Sequence, residues 1–251
     1  AIISDKANLA SDVEVGPYSV IGDDVEIDSG TRIGSHVVIN GPTRIGKDNH
    51  IYQFASIGDD PQDKKYAGEP TSLVIGDRNT IREFCTFSRG TTQDRGETSM
   101  GDDNWIMAYV HVAHDCVIGS NTIMANNTTL AGHVHVGDWV ICGGFSGAHQ
   151  FCRIGAHGFL GMYCGVNRDV SAYTMVSGQP AVARGINSEG LKRRGFSAEQ
   201  IRNIKNAYRI TYRQGKRKED AIEELAALVE SQPELGLFLD SLRSSERGLT
   251  R

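Results

Sequence analysis

The stretch SHVVINGPTRIGKDNHIYQFASIG, residues 35–58, places an isoleucine at 39, 45, 51 and 57, one every sixth position. A helix repeats its apolar face near 3.6 residues and a strand near 2, so neither regular element alone asks for a period of six. The rule reaches far beyond this stretch. It runs without a miss from Ile3 to Ile57, returns at Ile75, Ile81 and Phe87, shifts phase once, and continues from Met100 to Val166. Ile75 follows Ile57 by eighteen residues, so the register is expected to survive the segment between them.

A second regularity fixes the larger period. Gly101, Gly119, Gly137 and Gly155 each follow a periodic apolar residue and stand eighteen apart, so three hexapeptides make one coil. Such a chain stacks triangular coils whose strands pair with the coils above and below at about 4.8 Å. One aliphatic per side points into a narrow core, and stability accrues from neighbour to neighbour. Glycine is expected at the corners, where the backbone needs dihedrals that a Cβ forbids. The pattern is a mainly β fold, a parallel β-helix of hexapeptide repeats over residues 1–180. Similar hexapeptide solenoids coil left-handed, and the hand is taken from that similarity.

Past about residue 172 the period disappears, and residues 181–251 read as a C-terminal α-helical cap domain. In GFSAEQIRNIKNAYRITYRQGK, Ser197 and Gln200 form a capping box ahead of Ile201, Ile204, Tyr208 and Tyr212 at helical spacing. KEDAIEELAALVES and PELGLFLDSLRSS predict two further amphipathic helices. Such a cap covers the open end of the solenoid and its exposed strand edges.

Composition excludes several classes. The net charge of −5 with 23% charged residues gives no global basic field for nucleic acid. No apolar run approaches the length of a membrane span, and the N-terminus has no export signal. Five cysteines in apolar surroundings, without a CxxC pair, are read as free thiols in a reducing cytoplasm.

Two segments, 59–73 and 88–99, leave the coil and are rich in Gly, Pro and charge; they are either neutral insertions or the walls of a site. The chemistry concentrates at YVHVAHDCVIG, residues 110–120. Positions eighteen apart stack, so Gly132 lies over His114 and His133 over Asp115, with Gln150 and Phe151 continuing the two columns. The Gly132 amide therefore sits about one strand spacing from the His114 imidazole, with no side chain between. His111, His114, His133, His135 and His149 gather five of the eight histidines within about two coils, a clustering that points to function.

The segments NHIYQFASIG, KYAGEPT, AHDC, MANN, LAGHV, HQFCRIGAH and EGLKRRGF together resemble the UDP-N-acetylglucosamine O-acyltransferases of lipid A biosynthesis, over nearly the whole chain. The resemblance implies a cytoplasmic homotrimer with sites between subunits and with neither metal nor cofactor. Acyl carrier protein would donate a 3-hydroxyacyl group to the glucosamine 3-hydroxyl of UDP-N-acetylglucosamine, the first step of that synthesis. It makes His114 the general base, Asp115 its orienting partner and the Gly132 N–H the oxyanion donor. Gln62, Asp63, Lys65, His111, His133, His149 and Gln150 would contact the sugar nucleotide. Asn187, Glu189, Arg193 and Arg194 would meet uracil, ribose and diphosphate, the arginines as planar forks of donors. Lys64, Arg153, Arg168, Lys192 and other basic residues of the cap are candidates for docking the carrier protein.

Met162 stands where long-chain members carry Gly, so the resemblance makes it an acyl-chain ruler that shortens the donor to near 3-hydroxydecanoyl. It lies 48 residues from His114, not a multiple of eighteen, which puts it on another face and requires a second subunit to complete the acyl groove. Ser88 departs from the His of many relatives and removes any imidazolium contact from that position. Three other readings are open: a γ-type zinc carbonic anhydrase using His111, His114 and His133, a non-catalytic carrier-binding solenoid, and an acyltransferase acting on a 3-amino sugar nucleotide.

Overall fold

The computed structural model describes all residues 1–251. From Ile2 to Val166 the chain makes twenty-five short strands, most of two residues, and each third strand returns to the same sheet. Over this span three parallel sheets of nine, eight and eight strands form the faces of a left-handed triangular solenoid, and two further strands extend the third. Two residues per face suffice because one points inward and packs while the other faces out. The periodic residues are the inward ones: Ile39, Ile45, Ile51, Ile57, Val112 and Leu130 are all fully buried. Only the open first coil leaves its position exposed, with Ile3 at 44%.

Strand pairing explains both the surviving phase and the break. Partners normally stand eighteen apart, as Val112 and Leu130 do. Across the first excursion Ile57 pairs with Phe87, thirty on, and across the second Phe87 pairs with Val112, twenty-five on. The surpluses over eighteen are twelve and seven residues. Twelve is two hexapeptides, so the six-residue phase passes through unchanged. Seven is one too many, and the phase slips by one. Ile75 is therefore not one coil beyond Ile57 but on the next face, with a twelve-residue loop hidden inside an unbroken rhythm.

The expected role of the spaced glycines is overturned. Gly101, Gly119, Gly137 and Gly155 do not adopt positive φ; the left-handed corners are held instead by Asp115, Asn121, Asn127, His133, Trp139, Phe145 and others like them. The glycines are required by close approach. A Cβ on Gly137 would lie 2.6 Å from the amide nitrogen of Ala156 on the next coil, and one on Gly155 would lie 2.4 Å from that of Ala172. A non-glycine residue held left-handed costs roughly 1–2 kcal/mol, and stacking offsets part of it. Tyr18, His36, Phe54, Phe84 and Tyr109 form one corner column with ring centroids 4.8–5.1 Å apart. Aromatic pairs contribute about 0.5–1.5 kcal/mol each beyond area burial.

The last coil strand is followed by an antiparallel hairpin, Thr174–Ser177 with Val182–Ile186, that extends the third sheet. Four helices follow: α1 (Ser188–Arg193), α2 (Ala198–Arg213), α3 (Lys218–Val229) and α4 (Gly236–Arg243). The capping box at the start of α2 is present, with Gln200 N–H donating to Ser197 Oγ at 3.1 Å and Ser197 N–H to Gln200 Oε1 at 2.9 Å. The hairpin and α1 are additions that the periodicity did not announce. The cap has its own core around Ile204, Leu225, Phe238 and Leu242. Buried Asp169 ties the chain end to the coil by accepting from Arg153 N–H, Ser245 Oγ and Arg247 N–H.

All five cysteines are free and buried in the coil. Burial pushes the Cys116 and Cys142 thiols up to about 12, so none is a ready nucleophile. No helix is long and apolar enough to cross a membrane.

Candidate active site

The corner between the first and second faces carries His114 and Asp115, one outward turn after the strand His111–Val112. Asp115 takes the left-handed conformation, φ +58, which turns its carboxylate back along the chain. Its Oδ2 lies 2.8 Å from His114 Nδ1. A carboxylate only accepts, so that nitrogen carries the proton and the His114 Nε2 lone pair is left free. Both groups are sheltered, His114 at 6% exposure and Asp115 at 0%.

Gly132 lies where the eighteen-residue period placed it. A Cβ on that residue would stand 2.5 Å from His114 Cε1 and 2.6 Å from Nε2, so the glycine backbone is packed directly against the reactive edge of the ring. The coils are joined here by His133 N–H donating to His114 O at 3.0 Å. The Gly132 amide itself has no hydrogen-bond partner within the chain. The second column is also as expected: His133 meets His114 edge-on at 4.9 Å and stacks on Phe151 at 4.3 Å.

Both loops build this site. The loop of residues 89–96 supplies Thr91, whose hydroxyl donates to Asp115 Oδ2 at 2.6 Å and whose N–H donates to Oδ1 at 2.9 Å. Asp94 from the same loop sits 2.8 Å from His133 Nδ1. Thr98 accepts from the Asp115 N–H at 2.8 Å. Buried Arg89 clamps the two loops together through Asp60, Gly58 O and the Tyr66 hydroxyl. Burial alone would raise the Asp115 carboxyl. The hydrogen bonds from His114 and Thr91 outweigh it and hold the group below the ordinary carboxylate range. Thr91 and Asp94 were not legible in the sequence, because nothing in a loop's composition tells which coil it folds over, and Thr98 lies on the strand Glu97–Met100 just past the phase slip.

The resulting cleft, about 570 Å³, is lined by Gln62, Asp63, Lys64 and Lys65 from the first loop and by His114, Gly132, His133 and Gln150 from the coils. His111 lies beside it on the first face, with Nδ1 2.7 Å from Thr86 Oγ1; burial and the neighbouring His114 lower its pKa. Ser88 is buried and lines neither this cleft nor the larger hollow. His149 belongs to a separate and larger hollow, about 820 Å³, with Phe145, Gly147, Tyr163 and Gly165. That hollow is bigger but holds none of the paired acid and base groups, which makes the smaller cleft the candidate chemical centre.

The remaining expected residues are not brought to the imidazoles within one chain. Asn187 caps α1 through Gly190 N–H and donates to His157 O. Glu189 pairs with Lys192 at 2.7 Å and Arg193 is exposed on α1. Arg194 folds over Trp139, 5.2 Å from the ring centroid, and reaches Trp139 O and His157 Nδ1. Met162 lies at another corner, beside Tyr163, and is 64% exposed, which excludes a role as core filler.

The three-histidine zinc arrangement is not assembled. The ligand atoms that converge, within 4.8 Å of one another, belong to His114, Asp115 and His133, and His111 stands apart on Thr86.

The chain is similar to known proteins over its whole length. A family model described as UDP N-acetylglucosamine O-acyltransferase, domain 2, matches residues 169–250, and the bacterial transferase hexapeptide model matches residues 6–41 and 97–132. The acyl-[acyl-carrier-protein]–UDP-N-acetylglucosamine O-acyltransferase of Thiobacillus denitrificans is 60% identical over all 251 residues, covering the whole chain and 97% of that protein. The solved UDP-N-acetylglucosamine acyltransferase of Francisella novicida superposes with a TM-score of 0.98 at 43% identity, over the whole chain and 92% of its own. That of Moraxella catarrhalis gives 0.98 at 49% identity, over the whole chain and 97% of its own.

Proposed function

The chain belongs to the UDP-N-acetylglucosamine O-acyltransferase family, and on that premise we propose that it moves a 3-hydroxyacyl group from acyl carrier protein to the glucosamine 3-hydroxyl of UDP-N-acetylglucosamine, opening lipid A synthesis. The observation that carries the mechanism is the His114 ring, fixed through Nδ1 by Asp115 with its Nε2 edge against the Gly132 backbone. Nε2 takes the proton of the sugar hydroxyl as that oxygen attacks the thioester carbonyl carbon. The carbonyl π electrons move to oxygen, where the Gly132 N–H donates to the oxyanion. Collapse expels the carrier thiolate, which takes its proton from the imidazolium. Asp115 stays ionised and stabilises that imidazolium. Base catalysis of this kind contributes about a hundred- to ten-thousand-fold, and one oxyanion donor about 3–4 kcal/mol.

Gln62, Asp63, Lys65, His133 and Gln150 hold the sugar side of the acceptor, with His111 at its edge. His149, Asn187, Glu189, Arg193, Arg194 and Met162 act from a neighbouring subunit of a homotrimer. That none of them lines the imidazole cleft of one chain supports this division. So does the exposed aromatic column on the Met162 corner, continued by Phe145 and Tyr163, since large exposed apolar patches mark contact surfaces. The hollow beside Tyr163 takes the acyl chain and Met162 closes it near ten carbons. Five free cysteines fit a reducing cytoplasm.

The test is a transfer assay with UDP-N-acetylglucosamine and a panel of 3-hydroxyacyl carrier proteins, wild type beside His114→Ala. The expected result is transfer by the wild type, best near ten carbons, and a loss of at least a hundredfold in the variant. Full activity of His114→Ala would refute the base assignment.

A further inference from the structure

A second pair of histidine and carboxylate stands beside the proposed base. His133 follows Asp115 by one coil and holds its corner left-handed, at φ +64. Its ring lies nearly parallel to Phe151, with 5° between the planes, and meets His114 at 87°. These contacts fix the plane of the imidazole. They do not fix which nitrogen holds the proton or which edge faces the cleft, because a half turn of the ring keeps the plane and exchanges the edges. A neutral imidazole donates from one nitrogen and accepts at the other, so the two settings offer a substrate opposite hydrogen-bonding character.

Asp94 decides between them. Its Oδ2 lies 2.8 Å from His133 Nδ1, whereas Asp115 Oδ2 lies 3.7 Å from the same nitrogen. A carboxylate only accepts, so Nδ1 carries the proton and is turned to Asp94. Asp115 is no substitute, since His114 and both donors of Thr91 already occupy it. The turn that carries Asp94 is closed by Asp94 N–H and Gly96 N–H, which donate to Thr91 O at 3.3 and 2.9 Å. One turn thus sends Thr91 to Asp115 on one coil and Asp94 to His133 on the next. The His133 ring belongs to the wall between two spaces, the cleft of about 570 Å³ and a hollow of about 320 Å³ that contains Asp94, His135 and Arg153. Asp94 lines the hollow and not the cleft. The edge left for the cleft carries Nε2, and no group of the chain bonds it.

We infer that Asp94 is a positioning residue for the acceptor: it holds the His133 Nε2 lone pair toward the cleft, where that nitrogen accepts a hydrogen bond from a sugar group beside the attacked hydroxyl. The assignment rests on the proposed acyl-transfer function. The substituents flanking the 3-hydroxyl of UDP-N-acetylglucosamine, a hydroxyl and an acetamido N–H, are both donors, and a fixed lone pair suits either. The opposite setting would confront them with a second N–H or a C–H edge and leave a donor unpaired in a sheltered site, which costs affinity. Asp94 touches neither the base nor the reacting atoms, so its effect falls on binding of the acceptor and passes through the His133 ring.

The experiment compares the full chain as wild type, Asp94→Ala, His133→Ala and the double variant, with melting temperatures as the control for folding. Asp94→Ala is expected to raise KM for UDP-N-acetylglucosamine about tenfold, the cost of one misdirected hydrogen bond, with kcat within about threefold. In the His133→Ala background the same substitution should change that KM by less than about twofold, because its effect needs the ring. Nitrogen-15 NMR of histidine-labelled protein, with the His133 signals identified by their loss in His133→Ala, should show Nδ1 protonated in the wild type and the proton shifted toward Nε2 in Asp94→Ala. An unchanged sugar-nucleotide KM in folded Asp94→Ala, or an equal rise with and without His133, overturns the assignment. The NMR measurement needs no substrate, so the two failures are distinguishable: a wild type that transfers no acyl group removes the functional reading, and a His133 proton indifferent to Asp94 removes the positioning role.

Discussion

Replacing Gly132 by alanine adds one methyl group at the point where the two coils of the site touch. The new Cβ would stand 2.5 Å from His114 Cε1 and 2.6 Å from Nε2, whereas ordinary van der Waals contact begins near 3.4 Å. One of the two groups must therefore move by about 1 Å. The ring cannot swing away without breaking the 2.8 Å bond to Asp115 or losing its edge contact with His133. Displacing a catalytic group by about 1 Å costs on the order of a hundredfold in rate, or about 2.7 kcal/mol of barrier at 1.36 kcal/mol per tenfold. If the backbone yields instead, the proposed oxyanion donor moves and the loss is of similar size. Gly132 does not occupy the left-handed region, so alanine meets no backbone penalty and the fold persists. The expected outcome is a kcat lowered a hundred- to a thousandfold, KM for UDP-N-acetylglucosamine within a few fold, and a melting temperature within a few degrees. Gly236→Ala, where a Cβ meets nothing within 4 Å, serves as the active control. A folded Gly132→Ala enzyme with kcat within threefold of wild type would refute the packing of glycine against the base.

Three further outcomes follow from individual contacts. Thr91→Val removes one of the donors that keep the Asp115 carboxyl low, so that carboxyl rises; the acid limb of the kcat profile should move to higher pH, with about a tenfold loss near neutrality, whereas a merely structural threonine would leave the limb in place. Met162→Gly should shift the preferred donor to longer chains with little change in melting temperature, because the side chain is largely exposed; an unchanged preference in a chain-length panel removes the ruler assignment. Burial and then Arg194 push His157 down to about 4, from 6.5, between Trp139 and Tyr173 at the base of the cap. The unfolded chain therefore binds the proton first, and stability present above pH 6.5 drains away as pH falls toward 4. Thermal melts across that window should show a slope that His157→Gln reduces, and identical slopes would exclude the histidine as its source.

What could be read from the sequence divides along a physical line. Within an uninterrupted run of coils each residue's height and face follow from its place in the eighteen-residue period, because every such coil repeats the same three strands and three corners. The His114–Gly132 and Asp115–His133 columns were legible for that reason. The roles of the glycines were not, because the same residue satisfies either an unusual dihedral or a close approach, and only the neighbouring backbone distinguishes them. Bulky residues such as Phe145 and Trp139 hold the left-handed corners through stacking, which no propensity argument for glycine anticipates. Likewise Thr91 and Asp94 sit in a loop with no periodic address, so their seats on Asp115 and His133 appear only in three dimensions.

The loop lengths make the site possible. An insertion of twelve residues leaves the six-residue rhythm intact and hides in the sequence, while one of seven breaks it and announces itself. Both emerge at the corner that carries His114, the first two coils and the second one coil before it, and buried Arg89 joins the first to the second. A bare triangular coil would present Asp115 to water as an ordinary corner carboxylate. With the second loop folded over it, that carboxylate is dry, bonded on both oxygens and aligned on a single imidazole nitrogen. The rigid repeat sets the base and the amide one strand spacing apart, and the irregular insertions supply the shelter and the hydrogen bonds that a repeat alone cannot vary locally. If deleting 91–95 with a short glycine bridge left kcat unaltered in a folded protein, this division of labour between coil and loop would be wrong; the expected result is a solenoid that melts normally and transfers acyl groups at least a hundredfold more slowly.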